Sequence, residues 1–283
     1  MQKLLIAAAL FLLFLVPVLA QKKTPPPAPA QLLTRTLTRH EVRRFGYGGT
    51  VTVVGAPRGS IIVEGWSKNE VDLTAEIEVQ AATEEDMARM AAVTGFIFDD
   101  DSNHLSLITT GIHDKAYLRK ADKKFPKTLL SMPWKIDYHL KVPINTDLEI
   151  NGGTSVINVN GVEGALRVNA PEAQVDLTLT GRSANVIVGG GTINFSVPDR
   201  SWRGSGADVQ LATGKLNVQL PAGFSGDIDA DILRIGKVVN EYGVEGRERL
   251  SINEKSVHGR AGSGGAYLKF TVGDGEIHIV KAP

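Results

Sequence analysis

The chain has 283 residues, and its 31 basic side chains are balanced by 31 acidic ones, so net charge gives no pull toward nucleic acid. Cysteine is absent, which excludes disulfides, thiolate metal sites, cysteine nucleophiles and a lipid-modified N-terminal cysteine. Thirty glycines against four methionines point to a turn-rich β protein held by burial and ladder hydrogen bonds.

Residues 1–20 have the layout of a secretory signal peptide. Lys3 supplies the positive start, Leu4 to Val16 is apolar, and Val18-Leu19-Ala20 offers small residues before Gln21. The apolar run is shorter than the roughly 20 residues of a comfortable span. Cleavage and Sec-type export are therefore expected, to the periplasm, cell surface or medium. No second stretch of spanning length follows, so the mature chain is expected to be water-soluble. Residues 21–33 form a Pro-rich linker; Pro25-Pro26-Pro27 and Pro29 favour an extended polyproline tether.

An N-terminal β region is expected over 34–143. Thr50–Val54, Ser60–Glu64 and Glu70–Gln80 read as strands, the last through alternating Val71, Leu73, Ala75, Ile77 and Val79. One short helix is expected near 84–94. Thr83 with Asp86 makes a start resembling a capping box, Glu84 and Glu85 complement the helix dipole, and Gly95 stops it. Phe96–Phe98 and His104–Thr109 return to strand. His113 to Lys127 lacks period two and reads as a basic surface excursion. Trp134 to Val142 then alternates again.

Residues 144–283 read as β-strand repeats. The pentad Gly-x-apolar-x-apolar occurs at Gly49, Gly59, Gly164, Gly191, Gly214 and Gly275. Glycine turns the chain at low cost, and the alternation after it puts apolar residues on one strand face. The spacings of 27 and 23 residues from Gly164 to Gly191 to Gly214 approximate one coil of a solenoid. Near-matches such as Gly226-Asp227-Ile228-Asp229-Ala230 extend the series. No helix is expected after Thr94. The fold class is all-β, a right-handed β-solenoid-like stack of short glycine-led strands. A two-sheet β-sandwich is the alternative, because periodicity does not say which strands pair.

Three segments carry a family resemblance. They are Gly59-Ser60-Ile61-Ile62-Val63-Glu64-Gly65-Trp66 leading into Glu70-Val71-Asp72-Leu73, then Asp137-Tyr138-His139-Leu140-Lys141-Val142-Pro143, and the glycine-led strands up to Gly273-Asp274-Gly275-Glu276-Ile277. From about residue 45 to the end the chain resembles the bacterial exported β-strand-repeat family of unknown function labelled putative adhesins. The resemblance implies a right-handed, solenoid-like fold at the cell envelope and names no ligand.

Catalytic signals are sparse. The histidines His40, His104, His113, His139, His258 and His278 lack metal-ligand spacing, and His139 and His278 sit in the solvent phase of their strands. Ser205 and Ser263 lie between glycines that read as turns rather than a nucleophile elbow. Asp99-Asp100-Asp101 lacks the glycine and glutamate of a calcium loop. Asp227, Asp229 and Asp231 share a strand face and read as charges that discourage edge pairing. No cofactor and no metal ligand is assigned.

The segment chosen for partner contact is the excursion, where Lys115, Arg119, Lys120, Lys123, Lys124 and Lys127 could meet an anionic surface, aided by Tyr117, Leu118 and Phe125. The expected function is an exported, non-enzymatic, adhesin-like envelope-interaction module. Its partners would be envelope polymers, glycans or another envelope protein. The rivals are a carbohydrate-active enzyme and a structural or stress-sensing envelope component. The enzyme needs two carboxylates, or a carboxylate with Arg or Lys, to converge in a groove, with Asp176, Asp208, Asp229 and Asp231 as the carboxylates whose placement decides it.

Overall fold

The computed structural model describes residues 32–101, 103–200, 202–246 and 252–282; the expected signal peptide and nearly all of the linker lie outside the described residues. In the N-terminal half the strands are β1 (Leu33–Arg44), β2 (Thr50–Val54), β3 (Arg58–Trp66), β4 (Glu70–Ala81), β5 (Gly95–Asp101), β6 (His104–Thr110) and β7 (Trp134–Pro143). Then come β8 (Asp147–Asn151), β9 (Thr154–Asn160), β10 (Ala165–Thr178), β11 (Ser183–Ser196) and β12 (Gly206–Leu220). The last five are β13 (Gly226–Ile232), β14 (Gly236–Asn240), β15 (Glu245–Gly246), β16 (Ser256–Ala261) and β17 (Ala266–Lys281). Helices α1 (Glu84–Val93) and α2 (Lys115–Ala121) interrupt them.

The protein is all-β in class. Its strands join into one large mixed sheet that does not close. Pairing separates this sheet into two long parallel runs. In the first, β6, β2, β8 and the first halves of β10, β11, β12 and β17 lie side by side, followed by β13. In the second, β7, β3, β9 and the second halves of the same long strands are followed by β14. The registers skip Pro171, Gly189, Ala212 and Gly273, so each long strand bends there and serves both runs. Antiparallel strands β5, β4 and β1 close one end of the stack, and β16 and β15 the other.

Chain order and stacking order differ at both ends. The β2–β3 pair sits between β6–β7 and β8–β9, and the C-terminal β17 inserts between β12 and β13–β14. Only β8–β9, β10, β11 and β12 stack in sequence. Pairing also runs across residues 143–144, since β2 holds β8 and β3 holds β9.

The core lies between the two runs. Alternation drives it: in β10, Leu166, Val168, Ala170, Ala173, Val175 and Leu177 are buried, and except for the glycines opposite Ala173 their register partners on β11 and β12 are buried with them. Phe195 from the second run meets Phe270 from the first edge-on, ring centroids 5.4 Å apart. Such burial contributes about 1.5–3 kcal/mol per large apolar side chain.

Three expectations change. The short strands expected at 165–168 and 175–179 are one strand, and so are the corresponding pairs in β11 and β12. The pentad glycines Gly191, Gly214 and Gly275 therefore do not separate strands; they lie inside them and stack on one another in register. The repeat between β10 and β11 is 18 residues, read from Ala165 opposite Ser183, because Ala173 rather than Gly164 is the partner of Gly191. Finally, a helix does follow Thr94. Helix α2 forms because the Asp114 carboxylate accepts the N–H groups of Ala116 and Tyr117 at 2.8 and 3.0 Å, and Leu118 is buried beneath it. A 3₁₀ turn over Lys127–Ser131 follows.

The first helix matches expectation at its start: the Thr83 hydroxyl accepts the Asp86 N–H at 3.1 Å. At its end Thr94 is the cap, and Gly95 is already the first residue of β5.

Tyr138 makes a prediction possible. It is fully buried in β7, and its hydroxyl shares a 2.7 Å hydrogen bond with the Thr109 hydroxyl. Burial raises the phenol's pKa above its ordinary value. The unfolded phenol begins to ionise near pH 10 while the folded one resists. Its contribution to stability is thus fully present below pH 10 and is lost as pH climbs past that value. Tyr138→Phe is expected to flatten the alkaline arm of a melting-temperature profile. An alkaline arm of unchanged steepness would contradict this.

Candidate functional site

The basic excursion joins β6 to β7. Lys115, Arg119, Lys120, Lys123, Lys124 and Lys127 are all exposed, and none forms an ion pair with a described residue. Its apolar residues do a different job from the one expected. Leu118 and Leu129 are buried, and Tyr117 and Phe125 pack half-buried on the core, so they anchor the excursion instead of facing a partner. At its base the His113 ring stacks on Trp134, with centroids 5.2 Å apart. Burial holds the His113 pKa below its usual value, opposed by the charge of Asp114. The projection is thus an apolar foot carrying six exposed cations without ion-pair partners among the described residues.

The acidic face of β13 is satisfied from both sides. The Arg260 Nε donates to Asp227 at 2.9 Å, the Tyr267 hydroxyl donates to Asp229, and His258 lies 3.2 Å from Asp229 and 3.1 Å from Asp231. Strand β13 is not an edge, since β16 and β17 pair with its two sides. Its carboxylates therefore bind neighbouring strands together and do not guard an edge as expected.

Of the four carboxylates named for the enzyme rival, Asp176 stands apart in the second run from Asp208, Asp229 and Asp231 in the first. Asp176 belongs to the second run, where Asn194 Nδ2 donates to it at 2.6 Å. Asp208 and Asp229 belong to the first run with Lys269 in register between them, which sets them two strand spacings, about 9–10 Å, apart. Asp231 shares His258 with Asp229.

The remaining sequence readings resolve simply. Asp99, Asp100 and Asp101 form the end of antiparallel β5 rather than a loop. His139 faces solvent beside Glu64, while His278 is half-buried 3.2 Å from Glu276. His40 binds Asp72 at 2.7 Å and His104 binds the Thr52 hydroxyl at 2.8 Å. Among the described residues no group of three or more His, Asp or Glu side chains is arranged to hold a metal ion.

Sequence reasoning missed one feature. A groove of about 490 Å³ lies over the connections between β9, β10, β11 and β12. Its wall carries Glu163, Thr180, Arg182, Asp199, Trp202 and Arg203. The turn assigned to Gly204-Ser205-Gly206 is part of this wall: a Cβ at Gly204 would overlap the Trp202 indole. The 23-residue step from Gly191 to Gly214 exceeds the preceding repeat only once the register shows that repeat to be 18 residues.

No family model matches the chain, and no curated protein does. Among solved structures it is similar to a putative cell adhesion protein from Clostridium sporogenes, at 12% identity and a TM-score of 0.46, over 87% of this chain and 100% of that one. It is also similar to a putative adhesin from Bacteroides fragilis, at 11% identity and a TM-score of 0.40, over 90% of this chain and 98% of that one. Likeness this distant says nothing of function.

Proposed function

We propose that the protein is an exported, non-enzymatic, adhesin-like module of the cell envelope that holds an anionic surface through its basic projection. The observation that carries this reading is the projection itself: six exposed cations without ion-pair partners among the described residues, standing on a buried apolar foot. Unpaired cations on a fixed support attract phosphate-bearing or carboxylate-bearing polymers without first breaking internal pairs. Export rests on the layout of residues 1–20. No helix among the described residues is long and apolar enough to cross a membrane.

We read the two parallel runs as the two faces of a right-handed β-solenoid whose ends are closed by returning strands. Stacked coils give long, rigid faces suited to presenting such a projection. Against the enzyme rival stands the separation of Asp176 in the second run from Asp208, Asp229 and Asp231 in the first. A structural envelope component is separated from a free adhesin by pull-down from the envelope fraction.

The test is cosedimentation with anionic vesicles and with cell-wall fragments, at low and high salt. Retention is expected at low salt and release at high salt, since the Debye length shrinks from about 10 Å at 0.1 M to 3 Å at 1 M. Equal retention of a variant with all six cations changed to glutamine would sink the reading.

A further inference from the structure

We propose that the groove beside Trp202 binds an uncharged pyranose ring of a glycan. The site is separate from the basic projection and does not depend on it. Its starting point is an irregularity in the stack. Strands β10 and β11 are offset by 18 residues, Ala165 opposite Ser183, whereas β11 and β12 are offset by 23, Ser183 opposite Gly206. The paired lengths match, so the five additional residues all enter the connection between Ser196 and Gly206. In repeat folds such insertions collect in loops on a binding face.

This insertion carries Asp199, Trp202 and Arg203, and it is held firmly. The Trp202 indole N–H donates to the Gly181 carbonyl at 2.7 Å, and the ring stacks on Phe224 at 6.5 Å. The Ser205 N–H donates to the Arg182 carbonyl at 2.7 Å, and the Arg182 N–H to the Glu163 carbonyl at 3.1 Å. Three successive connections are thereby tied into one wall. A wall fixed before the ligand arrives loses little ordering entropy on binding.

The chemistry of the wall selects the ligand class. A groove of about 490 Å³ falls within the usual size of small-molecule sites. With its N–H already held by Gly181, the Trp202 indole contributes a flat apolar surface of the kind that the C–H face of a sugar ring packs against. Arg182 and Arg203 supply donors only, while Glu163 and Asp199 supply acceptors only. Sugar hydroxyls are both donors and acceptors, so they match such a mixed rim. Two cations and two anions cancel, so the rim has no bias toward an ionic ligand. Arg182 and Arg203 are exposed and pair with no carboxylate among the described residues, which leaves their donors available.

The probes are neutral oligosaccharides, fragments of β-glucan, galactan and mannan, titrated into the purified protein and followed by tryptophan fluorescence and calorimetry. At least one is expected to bind, equally well at low and high salt. Arg203→Ala and Arg182→Ala are each expected to weaken binding about tenfold or more, as loss of a hydrogen bond to a charged group does. Both residues are exposed, so these variants should melt with the parent protein. Trp202→Ala should remove the fluorescence change. The variant with six neutralised cations should bind the sugar normally, which separates this site from the envelope contact. Failure of every neutral oligosaccharide to bind, binding of charged oligosaccharides alone, or full affinity in the Arg182→Ala, Arg203→Ala double variant would each overturn the proposal.

Discussion

Gly214→Ala is expected to destabilise the protein by about 3 kcal/mol or more, from a single added methyl group. The residue has φ +138°, a backbone conformation that L side chains rarely adopt, and its missing Cβ would overlap the carbonyl oxygen of Gly191. Neighbours cannot relieve the clash. Gly191 below and Gly275 above sit at the same point of the bend, with φ +123° and +145°, and each is pressed on the next backbone. Moving one strand away would break the ladder on both sides. Gly223→Ala is the control: it also has positive φ, +74°, but nothing lies within 4 Å of its added Cβ. That variant should lose only about 1–2 kcal/mol, the cost of left-handed backbone alone. Urea unfolding midpoints compare the two directly. Equal midpoints would mean that the stacked corner does not depend on absent side chains.

Phe195→Ala is expected to cost about 3–5 kcal/mol, the range for emptying a fully buried aromatic site. Phe195 and Phe270 are both 0% exposed and come from different runs, so their contact joins the two faces of the core. Phe270→Ala should cost a similar amount. The double variant should lose less than the sum of the two, by about 0.5–1.5 kcal/mol, because the edge-on pair can be lost only once. Strict additivity would show that the two rings act independently and that the runs are joined elsewhere.

How much of this was legible beforehand varies with the range of the interactions involved. Strand β4 could be read to within a residue from Val71, Leu73, Ala75, Ile77 and Val79, since a half-buried strand must alternate. Helix α1 was equally plain, because Thr83 and the acidic first turn act locally. Helix α2 was missed because its seven residues span barely two turns, too few to show a periodic apolar face. It exists through the Asp114 cap and because Leu118 and Leu129 find a core to enter. The acidic triplet of β13 looked like an edge because β16 and β17 arrive from later in the chain.

The binding features divide in the same way. The six cations of the projection could be picked out by composition, but the inward direction of Tyr117, Leu118 and Phe125 could not. The Trp202 groove stayed hidden because Gly164 resembles the other pentad glycines and so masked the 18-residue repeat. Without that repeat, five inserted residues do not stand out.

The sequence alone determined the all-β class, the position of most strands and the cadence of buried side chains, because alternation and glycine conformation act over a few residues. Only the tertiary structure decided which strands became neighbours. It inserted β17 between β12 and β13, set β2–β3 between strands that follow it, and stacked the glycines into one column. The physical reason is that backbone ladders are chemically alike at every strand. Partner choice therefore falls to shape and burial across the whole core, which no short window of sequence contains.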